Sequence, residues 1–287
     1  MAIIGIDLGG TQMRGGLVEG ERLLSVLSQK VKAKGTKEEV LQDLFQLTDQ
    51  LVRQEEVEAI GIGVPSVVDI EKGIVYDVQN IPSWKKVYLR QEMGKRYQLP
   101  VFINNDSNCF ALGEKYFGKG KKAHSFIGLT IGTGLGAGII IRDKLYSGPN
   151  CGAGEFGMVD YLDKYFEYYA SGQFFQNCHQ TSGKEIFDNA KAGKADALRI
   201  YEEFGTHLGN AIKMILYTND PQMIIFGGSI AEAYSYFEKN MWSRINTFAY
   251  PNSLKKFEIK ISTLKHSGIL GAAALYYDKD LSGNSKK

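Results

Sequence analysis

Ile6-Asp7-Leu8-Gly9-Gly10-Thr11-Gln12 closes an apolar run that starts at residue 2, and its reading decides the fold. Residues 2–8 predict a buried strand, and Gly15-Gly16-Leu17-Val18 resumes the apolar pattern after a glycine turn. Together they predict a β-hairpin whose turn carries a carboxylate, two glycines and a hydroxyl. Leu129-Thr130-Ile131-Gly132-Thr133-Gly134-Leu135 repeats that build between apolar stretches at 126–130 and 138–141. The echo predicts two related domains with a ligand cleft between them.

Outward from these turns, apolar strands alternate with amphipathic helices. Val40, Leu41, Leu44, Leu47 and Leu51 recur at helical spacing, and the apolar runs 59–64, 101–103 and 222–226 predict strands. The alternation predicts an α/β fold. The polar stretch Gly118-Lys119-Gly120-Lys121-Lys122 marks a change of region. The division expected is a first domain over 1–117, completed by a C-terminal helix at about 268–287, and a second over 118–267.

Composition narrows the function. Basic residues number 34 and acidic ones 32, a net charge of +2 that argues against nucleic-acid or membrane partners. No apolar run approaches the ~18 residues of a membrane span. Cys109, Cys151 and Cys178 are an odd set without paired spacing, which suits reduced thiols and a cytoplasmic location.

Glycine turns let backbone N–H groups approach a polyphosphate closely. Gly9, Gly10 and Thr11 offer this chemistry, with Asp7 placed to help hold a hydrated Mg²⁺. Thr133 and Gly134 offer it again, and Gly227-Gly228 ends a strand where a nucleotide could rest. No Gly-x-x-x-x-Gly-Lys-Ser/Thr is present, which excludes a P-loop enzyme. Gly132-x-Gly134-x-Gly136 lacks the dinucleotide spacing and lies between two strands, which argues against hydride transfer. Asn104-Asn105-Asp106 puts amides and a carboxylate at a strand end. Asp106 is suited to take the proton of a hydroxyl attacking a γ-phosphoryl group, and Asn105 to hold a neighbouring hydroxyl. Asp106 or Ser107 could equally cap the helix that follows.

Asp7-Leu-Gly-Gly-Thr11, Asn105-Asp106-Ser-Asn108, Gly132-Thr-Gly-Leu-Gly-Ala-Gly138 and Gly152-Ala-Gly-Glu-Phe-Gly157 resemble, in order and spacing, the successive signatures of the ROK family. That family groups glucokinases, fructokinases and N-acylhexosamine kinases with related repressors. The resemblance implies an actin-like (ribonuclease H-like) ATPase fold of two α/β domains closing over ATP and a sugar. It implies Asp106 as general base; Ser66, Asn105, Glu155 and Glu167 around the sugar; and Asp7, Gly9, Gly10, Thr11, Gln12, Thr133, Gly134, Gly227 and Gly228 around ATP and Mg²⁺. It also implies a homodimer.

Two departures stand out. Met158 occupies the place of the family's histidine, and no cysteine lies between it and Glu167, so no zinc site is expected. Cys178 and His179 read as a buried thiol and a surface imidazole, and Tyr161, Tyr165 and Tyr168 as aromatics that could face a sugar. Ser66 replaces a glycine usual beside the sugar. The leading expectation is a glucokinase-like hexose kinase. Alternatives are a β-glucoside or N-acylhexosamine kinase, or a non-catalytic sugar-binding protein. A repressor would need a DNA-binding segment before the first strand, which begins at residue 2.

Overall fold

The computed structural model describes residues 1–149 and 151–283. By internal packing the chain forms two units, one of residues 1–124, 138–153 and 263–287, the other of 125–137 and 154–262.

The first unit opens with β1 (Ala2–Leu8), β2 (Gln12–Glu19) and β3 (Arg22–Lys30), followed by α1 (Lys37–Val52), β4 (Val57–Val64), β5 (Val67–Asp69), β6 (Ile74–Tyr76) and β7 (Lys86–Val87). Then come α2 (Leu89–Tyr97), β8 (Val101–Asn105) and α3 (Asp106–Phe117). The expected hairpin is present: β1 and β2 pair antiparallel from Ile3 opposite Val18 to Leu8 opposite Met13. Thr36 caps α1 in a reciprocal capping box with Glu39, and Val40, Leu44, Leu47 and Leu51 bury one stripe of that helix. The main sheet runs β3-β2-β1-β4-β8. Its last three strands are parallel and apolar on both faces, as a covered sheet requires.

β9 (Phe126–Ile131), β10 (Leu135–Ile141) and β11 (Lys144–Tyr146) follow, then β12 (Asp160–Tyr161), β13 (Lys164–Tyr165), α4 (Phe166–Ala170), α5 (Gln173–His179), α6 (Gly183–Lys191) and α7 (Ala195–Asn219). The chain ends with β14 (Met223–Gly227), α8 (Tyr234–Ile245), α9 (Pro251–Leu254), β15 (Glu258–Ile261) and α10 (Ser267–Gly283). The second five-stranded sheet runs β11-β10-β9-β14-β15. The two sheets share one strand order, third-second-first-fourth-fifth in the chain order of their own strands. The second unit's core includes an aromatic cluster of Phe174, Phe175, Tyr201, Phe204 and Phe237.

Residues 138–153, placed by sequence in the second domain, group with the first unit. There is no room for a side chain at Gly138, where a β-carbon would lie 2.6 Å from Ala111 Cβ on α3. α10 also belongs to the first unit and seats against β1, β4 and α3 through a seam of glycines. A methyl group on Gly61 would lie 1.9 Å from the Ala272 carbonyl oxygen, and one on Gly271 1.7 Å from that of Cys109. Residues 284–287 of the expected C-terminal segment lie outside the described residues.

Candidate active site

In the first unit, β8 delivers its polar end where β1 turns into β2. The N-cap of α3 is Asn105, not Ser107 or Asp106: its Oδ1 accepts the N–H groups of Ser107 (2.9 Å) and Asn108 (3.4 Å). That leaves Asp106 as the first helical residue, its Oδ1 accepting the Ser107 N–H at 2.8 Å. Burial, and then the negative charge of Asp7, push the Asp106 carboxyl up to about 6. Asp7 is itself raised by burial, partly offset by Arg14. The fold thus brings together two carboxyl groups that are 99 positions apart in the chain.

Asn104 braces this strand end from below. Its Oδ1 accepts the Asn105 N–H (2.8 Å), the Asn108 amide (2.9 Å) and the Cys151 thiol (3.2 Å). Ser66 donates its hydroxyl to the Tyr76 carbonyl, while its own carbonyl accepts the Asn105 Nδ2 at 3.4 Å. At the glycine turn, the Gly9 N–H donates to the Gln12 carbonyl at 3.2 Å. Thr11 and Gln12 are exposed, and the Asn80 side chain packs over Gly10. Asn80 did not stand out in the sequence. The Asn80-Ile81-Pro82 turn was its only local signal.

The second unit joins the other two glycine turns. β14 pairs with β9 so that Gly227 lies opposite Thr130, three residues before Thr133. Gly228 has φ of 84°, and a β-carbon there would lie 2.3 Å from the Ile131 carbonyl oxygen, so only glycine fits. Beside them opens a cavity of about 540 Å³, lined by Gly132, Thr133, Gln173, Phe187, Tyr201 and Ile230 among others. Its size and mixed apolar and amide walls suit a nucleoside. Gly134, Gly227 and Gly228 shape the turns without lining that cavity. Gln173, Phe187 and Tyr201 escaped sequence reading, because helices α5, α6 and α7 bring them together only in the fold.

Glu155 and Glu167 form a second carboxylate pair. Desolvation and then the charge of Glu167 raise the Glu155 carboxyl above the usual range. Glu155 is exposed, whereas Glu167 is half-buried with both oxygens engaged: Oε2 accepts the Leu135 N–H at 2.9 Å and Oε1 the Gln173 amide at 2.7 Å.

Tyr161 is part of an internal bracket. It stacks on Phe166 at 4.4 Å, and its hydroxyl accepts the Asn210 amide at 2.7 Å. Cys178 and His179 reverse their expected places. The thiol is exposed, while the imidazole turns inward, 4.9 Å from the Phe174 ring and 3.2 Å from Glu203. Among the described residues no three His, Cys, Asp or Glu side chains are grouped to hold a metal ion, and no helix is long and apolar enough to cross a membrane.

Known proteins resemble this chain along most of its length. A glucokinase of Thermotoga maritima is 29% identical over 97% of this chain and 98% of its own. A xylose repressor of Bacillus subtilis is 29% identical over 96% of this chain and 77% of its own. A ROK hexokinase from Thermus thermophilus superposes with a TM-score of 0.84 at 26% identity, covering 99% of this chain and all of that one. A ROK family glucokinase from Streptomyces griseus, in complex with glucose and AMPPNP, superposes with a TM-score of 0.81 at 27% identity, covering 96% and 99%. The fold is accordingly the actin-like ATPase fold of these structures. The sequence pattern of the ROK family matches residues 3–279, which include both glycine turns, the Asn105-Asp106 strand end and the Glu155 segment, and the chain belongs to that family.

Proposed function

We propose that this chain is an ATP-dependent kinase that phosphorylates a sugar hydroxyl, with Asp106 as the general base. The observation that carries the reading is Asp106 itself: a desolvated carboxyl at a strand tip, pushed up to about 6 and so poised to exchange a proton near neutrality. The glycine-bounded cavity of the second unit supports ATP as donor, and the glucose- and AMPPNP-bound relative supports both ligands.

In the reaction, Asp106 takes the proton of the sugar hydroxyl as that oxygen attacks the γ-phosphorus. The bond from the γ-phosphorus to the β,γ-bridging oxygen breaks, and ADP leaves. Asn105 contributes the remaining hydrogen of its Nδ2 group to a neighbouring hydroxyl, since its Oδ1 is held by the helix. Glu155 accepts from another. Bound Mg²⁺ would supply neutralisation of phosphate charge. Asp7 fits that ion, as a half-buried carboxylate in β1 just before the glycine turn, whose own charge already burdens Asp106. A cytoplasmic location suits both substrates.

A coupled ADP-release assay over glucose, fructose, mannose, N-acetylated hexosamines and cellobiose tests the reading. At least one sugar is expected to be phosphorylated, with glucose the first choice and cellobiose marking a β-glucoside kinase. Sugar binding without ADP release from any of them would instead favour a sensor like the xylose repressors. With the active sugar, kcat/KM is expected to rise with pH through about 6 and level off above 7, because only ionised Asp106 accepts the proton. A profile flat between pH 5 and 8 would remove Asp106 from that role.

A further inference from the structure

We propose that Asn104 is a positioning residue for the general base: one amide oxygen holds the chain on both sides of Asp106. The inference rests on the kinase reading, since it concerns the geometry in which Asp106 meets its acceptor.

Asn104 is buried near the end of β8. Its Oδ1 takes the N–H of Asn105, the residue before Asp106, and the side-chain amide of Asn108, two residues beyond Asp106. The Cys151 thiol donates to the same oxygen, and the Asn104 Nδ2 reaches the Ser147 hydroxyl at 3.4 Å. One side chain thereby ties together three pieces of the first unit: the end of β8, the first turn of α3 and the segment 147–151. Cys151 adds an independent sign that the junction is built for this contact. Its φ of 56° is a left-handed conformation that a residue with a β-carbon rarely adopts, and it is kept where the buried thiol meets the Asn104 oxygen.

Asp106 needs support of this kind. The bonds that its carboxylate takes from Ser107 and from its own N–H are local, so they move with the backbone and cannot fix the carboxylate against a substrate. Its aim is set by the chain on either side, and both sides lead to Asn104. A base displaced by a fraction of an ångström still binds its partners but loses rate, because proton transfer depends steeply on distance and angle. Asn104 therefore acts on the chemical step through Asp106, without touching the sugar or the nucleotide.

Steady-state kinetics of the full-length protein, with ATP and the sugars of the panel, test this on Asn104→Leu, Asn104→Ala and Asn104→Asp, with melting temperatures measured alongside. Asn104→Leu keeps the volume and removes the acceptor, whereas Asn104→Ala leaves room for a water in its place. In both, kcat is expected to fall ~10-fold or more while KM for ATP stays within ~3-fold of wild type. Asn104→Asp keeps an acceptor oxygen, and its kcat at its own optimal pH is expected to remain within ~3-fold of wild type. Should Asn104→Leu fail to fold, Asn104→Ala and Asn104→Asp still decide. Wild-type kcat in a folded Leu or Ala variant overturns the proposal, whatever the melting temperature, because the side chain would then serve stability alone. A loss confined to KM for ATP overturns it too, as does an Asn104→Asp protein as slow as the other two. Wild-type protein that phosphorylates no sugar of the panel would defeat the kinase reading itself, an outcome visible before any variant is made.

Discussion

Asp106→Asn is expected to abolish turnover and, at pH 8, to make the protein more stable. A loss of ~10³-fold or more in kcat/KM follows if the carboxylate is the base, because an amide of the same shape cannot accept the proton. The stability gain has a separate origin. The folded-state carboxyl, at about 6 against its ordinary 3.8, favours its protonated form. Stability from that preference is fully present below about pH 4 and is lost as pH rises through 6, so the ionised native state at pH 8 carries a penalty of at most about 3 kcal/mol. Asparagine carries none, and its side-chain oxygen can still accept the Ser107 N–H. A melting temperature several degrees above wild type at pH 8, with the advantage gone at pH 4, is the expected pattern. An Asp106→Asn protein that melts below wild type at pH 8 would mean that the carboxylate is stabilised by its surroundings.

The second large effect is structural. Gly61→Ala is expected to cost about 3 kcal/mol or more, because the added methyl would lie 1.9 Å from the Ala272 carbonyl oxygen. That oxygen is backbone in a helix that also packs along β1 and α3, so α10 as a whole would have to lift off β4. For a chain of this length the loss corresponds to a fall in melting temperature of roughly 6–12 °C. Gly94→Ala is the matched control. It lies within α2 with nothing inside 4 Å of the added methyl, and alanine there is expected to be neutral or mildly stabilising. Equal melting temperatures for the two variants would deny the tight seating of α10.

Much of this site was legible because its chemistry sits at strand ends, where glycine and asparagine break an apolar pattern. The β1–β2 hairpin, the stripe of α1 and the end of β8 at Asn105-Asp106 could be read from spacing alone. What stayed hidden depended on which atom a side chain commits. Asn105 and Asp106 are adjacent polar residues before a helix, and nothing in their order reveals that asparagine caps it while aspartate stays available. Glu167 reads as one carboxylate in an aromatic run, and only the fold supplies the Leu135 N–H and the Gln173 amide that occupy it. α2 went unpredicted because it is short and buries little beyond Leu89 and Met93. Cys178 and His179 were exchanged because neighbours on a helix point about 100° apart, and periodicity over a seven-residue helix is too short to set the phase.

The glycine seam beneath α10 also bears on how the protein is made. The helix that covers β1 and β4 leaves the ribosome about 150 residues after α3 has emerged. At typical rates of synthesis the first sheet waits on the order of 10 s with that face unsheltered. A nascent chain stalled before Ser267 would hold a second unit complete in sequence and a first unit still lacking its lid, which makes the N-terminal sheet the part most in need of chaperone cover.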